Sequence, residues 1–181
     1  PKAENQTVAM GEDATADIIL GDHKLDGNLL SYRIENSPTN GQLIGSPPTV
    51  RYVPLANFSG DDQFIYSVSD GIATSENAVI ELIINGINDI PVGTPLAIET
   101  HEDLPTSVTL SAEDADGDVL SYFVTSQPVH GVLNGSPPYL VYVPAADFHG
   151  IDSFAYQVND GLADSAAATV TLTIAPQNDA P

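Results

Sequence analysis

The residues of this sequence that could perform chemistry are carboxylates and amides grouped in turns, and the chemistry they offer is calcium binding. Calcium takes about six to eight oxygen ligands at once, and carboxylates, asparagine side chains and backbone carbonyls can supply them. The candidate ligands are Glu12, Asp62, Asn88, Asp89, the carbonyl of Ile90, Asp114, Asp116, Asp118 and Asp160. Asp118 is open to two interpretations, as a ligand or as the cap of its own turn.

The stretch Asp-Ala-Asp-Gly-Asp at 114–118 differs from the calcium loop of an EF-hand. Its glycine directly follows the second aspartate, and Thr125 occupies the position where an EF-hand has a bidentate glutamate. One such stretch is a weak signal by itself. Together with the Asn-Asp pair at 88–89 and the Asp-Gly turn at 160–161, it favours a metal site.

Turn formation is the alternative explanation for acidic residues of this kind. Asp-Gly and Asn-Asp pairs favour tight turns, and we prefer this interpretation for Asp13, Asp26 and Asp103. The carboxylates of 114–116 and Asp160 differ, because clustered carboxylates repel one another and no basic residue lies near them in the sequence. A bound cation removes that repulsion, so calcium is the preferred interpretation there.

Catalysis is not expected from this sequence. Its four histidines are scattered in turns, and neither the His-Glu-x-x-His helix of metalloproteases nor a Gly-x-Ser-x-Gly elbow is present. Paired carboxylates can hydrolyse glycosides, but the acids here lie in turns, and a repeat this small offers little room for a deep cleft. The chain has no cysteine, which excludes disulfides and thiolate metal sites.

The chain is strongly acidic. It has 25 Asp and Glu residues against 4 Lys and Arg residues, and its formal net charge is -21. This charge repels nucleic acid and anionic membrane surfaces, so neither is expected as a partner. No run approaches the roughly 18 apolar residues that span a bilayer, so membrane insertion is not expected either.

The sequence repeats itself at an offset of 90 residues without an insertion. Leu-Ser-Tyr at 30–32 aligns with the same tripeptide at 120–122, and Gly-Ser-Pro-Pro at 45–48 aligns with 135–138. Because about 90 residues suffice for one small core, the chain is predicted to form two domains in series. We also expect the chain to be a piece of a longer tandem array.

The two domains are predicted at 1–90 and 91–181. Their apolar residues alternate with period two, as in Phe64, Tyr66 and Val68, and clusters of turn residues separate these runs. The predicted fold is all-β, with two tandem seven-stranded antiparallel Greek-key sandwiches of the cadherin or Ig type.

The strands of the second repeat are expected at 95–100, 106–111, 119–125, 131–134, 139–143, 153–159 and 167–175. If every strand reverses the chain, loops after even-numbered strands share the end of the domain at which the chain enters. The 114–118 loop and Asp160 then lie together at that end, beside the Asn-Asp linker. Glu12 and Asp62 fall at the opposite end of the first repeat, so the candidate ligands converge on the junction.

These motifs resemble the bacterial cadherin-like repeats that occur in tandem in large surface and secreted proteins, including calcium-dependent adhesins. The resemblance covers both repeats and rests on Asn-Asp-x-Pro at 88–91 and 178–181, Glu-Asp at 12 and 102, the 114–122 stretch, Tyr-x-Pro at 142–144, the 148–156 stretch and Asp-Gly at 160. It implies that junction ions are held by Glu12, by Asn88 with Asp89, by Asp114 with Asp116, and by Asp160.

The function implied by the resemblance is that of a spacer or adhesion repeat outside the cell or on its surface, stiffened by calcium at the junction. Its partners are then the neighbouring repeats of the parent chain, and the isolated piece is expected to be a monomer. The alternative is a calcium-dependent carbohydrate-binding or homotypic adhesion module that meets polysaccharide or another cell-surface protein. Tyr139, which aligns with Thr49, is the candidate exposed aromatic residue for such a role.

The first repeat departs from the family pattern at its outer end. Lys24 stands at the place of Asp114, and Asn28 at the place of Asp118. A lysine ammonium replaces the cation there, so we expect weak calcium binding or none. At the far end of the second repeat, half of a further site is expected from Glu102, Asp152, Asn178 and Asp179.

Overall fold

The computed structural model describes residues 1–21 and 29–178. The chain divides into two compact units, Pro1–Ile87 and Asn88–Pro181. The division falls between Ile87 and Asn88 and not after Ile90, so the Asn-Asp pair belongs to the second unit. Each unit builds its own sandwich from the strands that follow.

The described residues of unit 1 (1–21 and 29–87) form seven strands: β1 (Gln6–Gly11), β2 (Ala16–Ile19), β3 (Ser31–Asn36), β4 (Gly41–Ser46), β5 (Thr49–Pro54), β6 (Gly60–Ser69) and β7 (Ala78–Asn85). They form a four-stranded sheet in the order β1-β7-β6-β3 and a three-stranded sheet in the order β2-β5-β4. No helix occurs among the described residues.

Unit 2 repeats this arrangement with β9 (Leu96–His101), β10 (Thr106–Thr109), β12 (Ser121–Ser126), β13 (Gly131–Ser136), β14 (Tyr139–Pro144), β15 (Gly150–Asn159) and β16 (Ala168–Ala175). Its sheets have the orders β12-β15-β16-β9 and β10-β14-β13. A short additional pair joins β8 (Val92–Gly93) to β11 (Ala112–Glu113). The all-β prediction is confirmed, and each predicted strand of this repeat overlaps an observed one.

One detail of the predicted fold is wrong, because the sheets are not antiparallel throughout. β1 pairs with β7 in parallel, and β9 pairs with β16 in parallel. The strand order explains this result. When every turn reverses the chain, the first and seventh strands run in the same direction, so they can only pair in parallel when they become neighbours in one sheet.

The period-two pattern places one face of each sheet in the core. In unit 1, Phe64, Tyr66 and Val68 of β6 are fully buried on the core side, and the residues that alternate with them point to the opposite face of the strand. Buried tyrosine hydroxyls need partners. The Tyr156 hydroxyl of unit 2 lies 2.7 Å from the carbonyl oxygens of both Thr94 and Ser111, which ties the start of the unit to the segment after β10.

Candidate calcium site

The acidic loop at 114–118 lies in unit 2 between β11 and β12. Asp114, Asp116 and Asp118 each offer one carboxylate oxygen, and these three oxygens lie within 4.8 Å of one another. Gly117 has a φ of 75°, a left-handed conformation that glycine adopts at little cost and that lets the loop close tightly. The loop thus places the three carboxylates near one another, and that they bind calcium stays a prediction.

Asp114 has one oxygen with a partner and one without. Its Oδ1 accepts a hydrogen bond of 3.0 Å from the backbone N–H of Asp118. Its Oδ2 is shielded from solvent and accepts no hydrogen bond from any residue that the structure describes. A shielded carboxylate oxygen without a partner costs free energy, and a cation bound there would remove that cost. The residues present therefore fit a hard cation such as calcium.

Two hydrogen bonds hold the beginning of unit 2 against its acidic loops. The backbone N–H of Asp89 donates to Asp116 Oδ2 at 2.7 Å, and Asn88 Nδ2 donates to Asp160 Oδ2 at 2.9 Å. Because the amide nitrogen of Asn88 is used in this way, its Oδ1 is the atom that remains as an oxygen ligand. The structure thus brings Asn88 and Asp89 to the same end of unit 2 as Asp116 and Asp160.

Asp160 is held in its ionised form by the turn that it begins. Its Oδ1 accepts hydrogen bonds of 2.6 Å from the backbone N–H groups of Leu162 and Ala163. The bond from Ala163, the Asn88 side chain and the bond from Leu162 lower the pKa of Asp160 below its ordinary value. Asp70 of unit 1 makes the same turn with Ile72 and Ala73.

Glu12 lies at the end of unit 1 where that unit's chain finishes. Only 3% of its surface is exposed, and its Oε1 accepts a hydrogen bond of 2.5 Å from the backbone N–H of Ile87. Its own N–H donates to the carbonyl of Asn85 at 3.1 Å. Ile87 directly precedes Asn88 in the chain, so the Glu12 carboxylate is fixed to the last residue of unit 1. Ile90 lies between Asp89 and the start of β8.

Asp62, the remaining candidate from the sequence, is occupied by other contacts. Its oxygens accept backbone hydrogen bonds from Thr39, Asn40 and Gln63 and a side-chain bond from Tyr52. Desolvation raises the pKa of Asp62, but these four hydrogen bonds outweigh it, so the pKa lies below its ordinary value. We therefore remove Asp62 from the proposed ligand set, because its donors already satisfy both oxygens.

Sequence reasoning missed this anchoring role, although a signal for it was present. Asp62 falls on the same phase of β6 as the buried Phe64 and Tyr66, so the alternation already directs it inward. Asp152 of unit 2 repeats the arrangement and accepts bonds from Val129, His130, Ser153 and Tyr142. A carboxylate on the inward phase of a strand predicts a buried anchor and not a loop ligand.

The predicted outer ends of the two repeats are described only in part. Asp22, Lys24, Asp26 and Asn28 lie outside the described residues, and so does Asp179. At the far end of unit 2, Glu102 is 5% exposed and its Oε1 accepts a hydrogen bond of 2.6 Å from the Gln177 N–H, as Glu12 does from Ile87. His149 Nδ1 lies 3.5 Å from the other Glu102 oxygen.

The sequence matches the family model described as the bacterial Ig domain twice, over residues 1–83 and 88–173. The chain therefore belongs to the bacterial Ig domain family, as two tandem copies. The sequence motifs predicted bacterial cadherin-like tandem repeats, and the two tandem domains of this family confirm that prediction. No curated protein matches the chain significantly.

Solved structures with the same fold include cadherin domains. Domains EC1-2 of human mucin-like protocadherin match with a TM-score of 0.50 and 17% identity, over 97% of each chain. An endo-fucoidan hydrolase from glycoside hydrolase family 107 matches with a TM-score of 0.42 and 20% identity, over 97% of this chain and 28% of that one. This chain thus spans little more than a quarter of that hydrolase. At 17% identity the likeness to the protocadherin concerns the fold alone.

Proposed function

We propose that this chain is a calcium-binding structural or adhesion repeat of a large extracellular bacterial protein, with calcium bound where the two repeats join. The observation that carries the proposal is the Asp114 carboxylate, whose shielded Oδ2 lacks a hydrogen-bond donor within a cluster of three carboxylates. Tandem domains of the Ig and cadherin type are typically structural or adhesive and typically lack enzymatic activity.

The proposed ligands come from one end of unit 2 and from the turn after β1 in unit 1. Unit 2 offers oxygens of Asn88, Asp114, Asp116 and Asp160, together with those of Asp89, Asp118 and the Ile90 carbonyl. Unit 1 offers Glu12, which is fixed to Ile87 by a hydrogen bond. Together these residues offer enough oxygen atoms for the roughly six to eight ligands that calcium takes.

Calcium at this place acts mechanically in the proposal. Ligands attached on both sides of the Ile87–Asn88 bond would restrict rotation of one repeat against the other. The cation would also offset part of the formal charge of -21. Without calcium, each repeat keeps its own hydrophobic core and stays folded, and only the joint loosens.

An extracellular location fits this chemistry, because extracellular calcium modules work at about 0.1 to 1 mM calcium. Bacterial Ig-like domains are typically found outside the cell or on its surface. Among the described residues, none belongs to a helix that is long and apolar enough to cross a membrane.

Calcium titration of the whole chain tests the site. Calorimetry should detect calcium binding, and calcium should raise the melting temperature of unit 2. At a free calcium concentration of roughly 100 times the dissociation constant, the stabilisation should be about 2.7 kcal/mol. The double variant Asp114→Asn with Asp116→Asn should lose most of this effect. The matched control, Asp13→Asn with Asp103→Asn, removes the same charge from two turns and should bind as the parent does. Equal binding by both double variants would contradict the assignment.

Small-angle scattering tests the stiffening. With excess calcium, the chain should give a narrow distribution of maximum dimensions, and chelation should broaden it without unfolding either repeat. A distribution that is the same in calcium and in chelator would leave a calcium site without a mechanical role and would refute this part of the proposal.

A further inference from the structure

The outer face of the three-stranded sheet of unit 2 carries no formal charge. On the central strand β14, Tyr139, Val141 and Val143 point away from the core, and Tyr139 is 72% exposed. Ser107 of β10 lies beside Val141, and Thr109 lies beside Tyr139. The adjacent strand β13 adds no acidic or basic side chain to this face. In a molecule with 25 acidic residues, such a face is unusual.

The same face of unit 1 is charged, which makes the two repeats an internal comparison. Ser107 and Val141 correspond to Asp17 and Arg51. Those two side chains form a bidentate ion pair, with Arg51 Nε and Nη2 at 2.7 Å and 3.0 Å from the Asp17 oxygens. The uncharged face is thus a property of unit 2 and not a requirement of the fold.

The polar groups on the unit 2 face are available to a ligand. The side chains of Ser107, Thr109, Asn134 and Ser136 form no hydrogen bond with any described residue, and neither does the Tyr139 hydroxyl. Asn134 lies beside Val141, and Ser136 lies beside Tyr139 at the end of the β13–β14 hairpin. An exposed aromatic ring is therefore flanked on both sides by hydroxyl and amide groups.

We propose that this face binds a neutral polysaccharide, with the Tyr139 ring against the C–H face of one sugar. Sugar hydroxyls suit the neighbouring serine, threonine and asparagine side chains, because each of these both donates and accepts hydrogen bonds. A tyrosine ring offers an apolar face and a polar hydroxyl at its edge, and a sugar ring likewise has an apolar C–H face and polar hydroxyl groups.

Charge selects among the possible occupants of the face. An anionic polysaccharide meets the repulsion of a molecule with a formal charge of -21. A second copy of this chain brings the same charge and is repelled for the same reason. A neutral polymer avoids this cost, and it needs no counter-charge from a face that has none. This inference is independent of the calcium site and requires no metal.

The test is retention of the whole chain on insoluble neutral polysaccharides, namely β-glucan, xylan, mannan and chitin, in calcium and in chelator. The parent chain should be retained on at least one of them under both conditions. Tyr139→Ala should weaken its binding about five- to tenfold. The matched control Thr49→Ala, at the equivalent position of unit 1, should bind as the parent does.

A second variant keeps the test decisive if loss of Tyr139 has a small effect. Ser107→Asp with Val141→Arg places the ion pair of unit 1 on the face of unit 2, a pair that this fold already tolerates. It should retain the thermal stability and the calcium response of the parent but lose retention on the polysaccharide.

Three results would overturn the proposal. The first is no retention of the parent chain on any of the four polymers, and the second is equal retention of the parent and both variants. The third is concentration-dependent self-association that Tyr139→Ala abolishes while polysaccharide retention is absent, which would assign the face to a second copy of the chain.

Discussion

The hydroxyl of Tyr52 donates a hydrogen bond of 2.9 Å to the carboxylate of Asp62, and this bond joins the two sheets of unit 1. Tyr52 lies on β5 in the three-stranded sheet, and Asp62 lies on β6 in the four-stranded sheet. The same carboxylate also accepts the backbone N–H groups of Thr39 and Asn40. One buried carboxylate thus connects both layers of the sandwich to the turn before β4.

Removal of this hydroxyl should destabilise unit 1. In Tyr52→Phe, the buried Asp62 Oδ2 loses this bond and keeps the one from the Asn40 N–H, so the free energy of unfolding should fall by about 1 to 3 kcal/mol. Urea denaturation measures the change. Tyr139→Phe is the matched control, because the exposed Tyr139 hydroxyl has no partner among the described residues, and its effect should stay within about 0.5 kcal/mol. Equal losses in both variants would refute the anchoring role.

Stability should fall in acid through the same carboxylates. The pKa values of Asp62 and Asp152 are lowered in the folded state, since hydrogen bonds outweigh desolvation. The unfolded state therefore binds more protons at acidic pH. The stabilisation is complete well above the unfolded pKa of about 3.9 and is lost as pH falls through the lower folded pKa.

Urea denaturation at a series of pH values from 6 downward, each step taken at constant ionic strength, measures this loss. The double variant Asp62→Asn with Asp152→Asn should be less stable at neutral pH, and its free energy of unfolding should fall less steeply than that of the parent as the pH is lowered. An equally steep fall in both proteins would assign the pH dependence to other carboxylates.

Alkaline pH should destabilise both units through the paired tyrosines. Desolvation, followed by the hydrogen bond and the charge of the partner carboxylate, raises the pKa of Tyr52 and of Tyr142. Their ordinary pKa is about 10, so the stabilisation is present below that pH and is lost as pH rises toward the higher folded values. Tyrosinate absorbance should therefore show Tyr52 and Tyr142 ionising only as the units unfold. Ionisation of these two tyrosines below the unfolding transition would contradict this prediction.

The ring of Tyr52 also restricts Gly41. A Cβ atom at Gly41 would lie 2.5 Å from Tyr52 Cε2, which is too close for any ordinary contact. Gly41→Ala should therefore cost unit 1 about 1 to 3 kcal/mol of stability, because the ring and its bond to Asp62 must shift. Gly86→Ala is a suitable control, since its Cβ would lie 3.5 Å from Ser59 Cβ. Thermal unfolding of the two variants gives the comparison, and equal melting temperatures would contradict the prediction.

Local patterns predicted much of the fold. Period-two alternation located the seven main strands of unit 2, and the 90-residue offset transferred them to unit 1. The parallel pairing of β1 with β7 was missed, because alternation fixes which face of a strand is buried but not which strand lies beside it. The β8–β11 pair has two residues on each strand, which is too short to leave a periodic signal.

The sequence also predicted part of the candidate calcium site. The spacing of the loops identified Asp114, Asp116 and Asp118 as neighbours, because one short loop carries all three. The sequence placed Asn88 and Asp89 beside these loops, but their hydrogen bonds to Asp160 and Asp116 are seen only in the structure. Asp62 was included as a candidate ligand, and the structure shows it on the inward phase of β6, with its oxygens accepting hydrogen bonds from Tyr52 and from backbone N–H groups.

The parallel pairing of the first and last strands decides how each unit responds to a pull on its ends. Force applied before Gln6 and after Asn85 would draw β1 and β7 along their length in opposite directions. Six residue pairs connect these strands in register, from Gln6 with Ile80 to Gly11 with Asn85, and their hydrogen bonds run across the direction of force. These hydrogen bonds would have to break together in shear and not one after another. The paired strands therefore resist tension applied between the two ends of the unit.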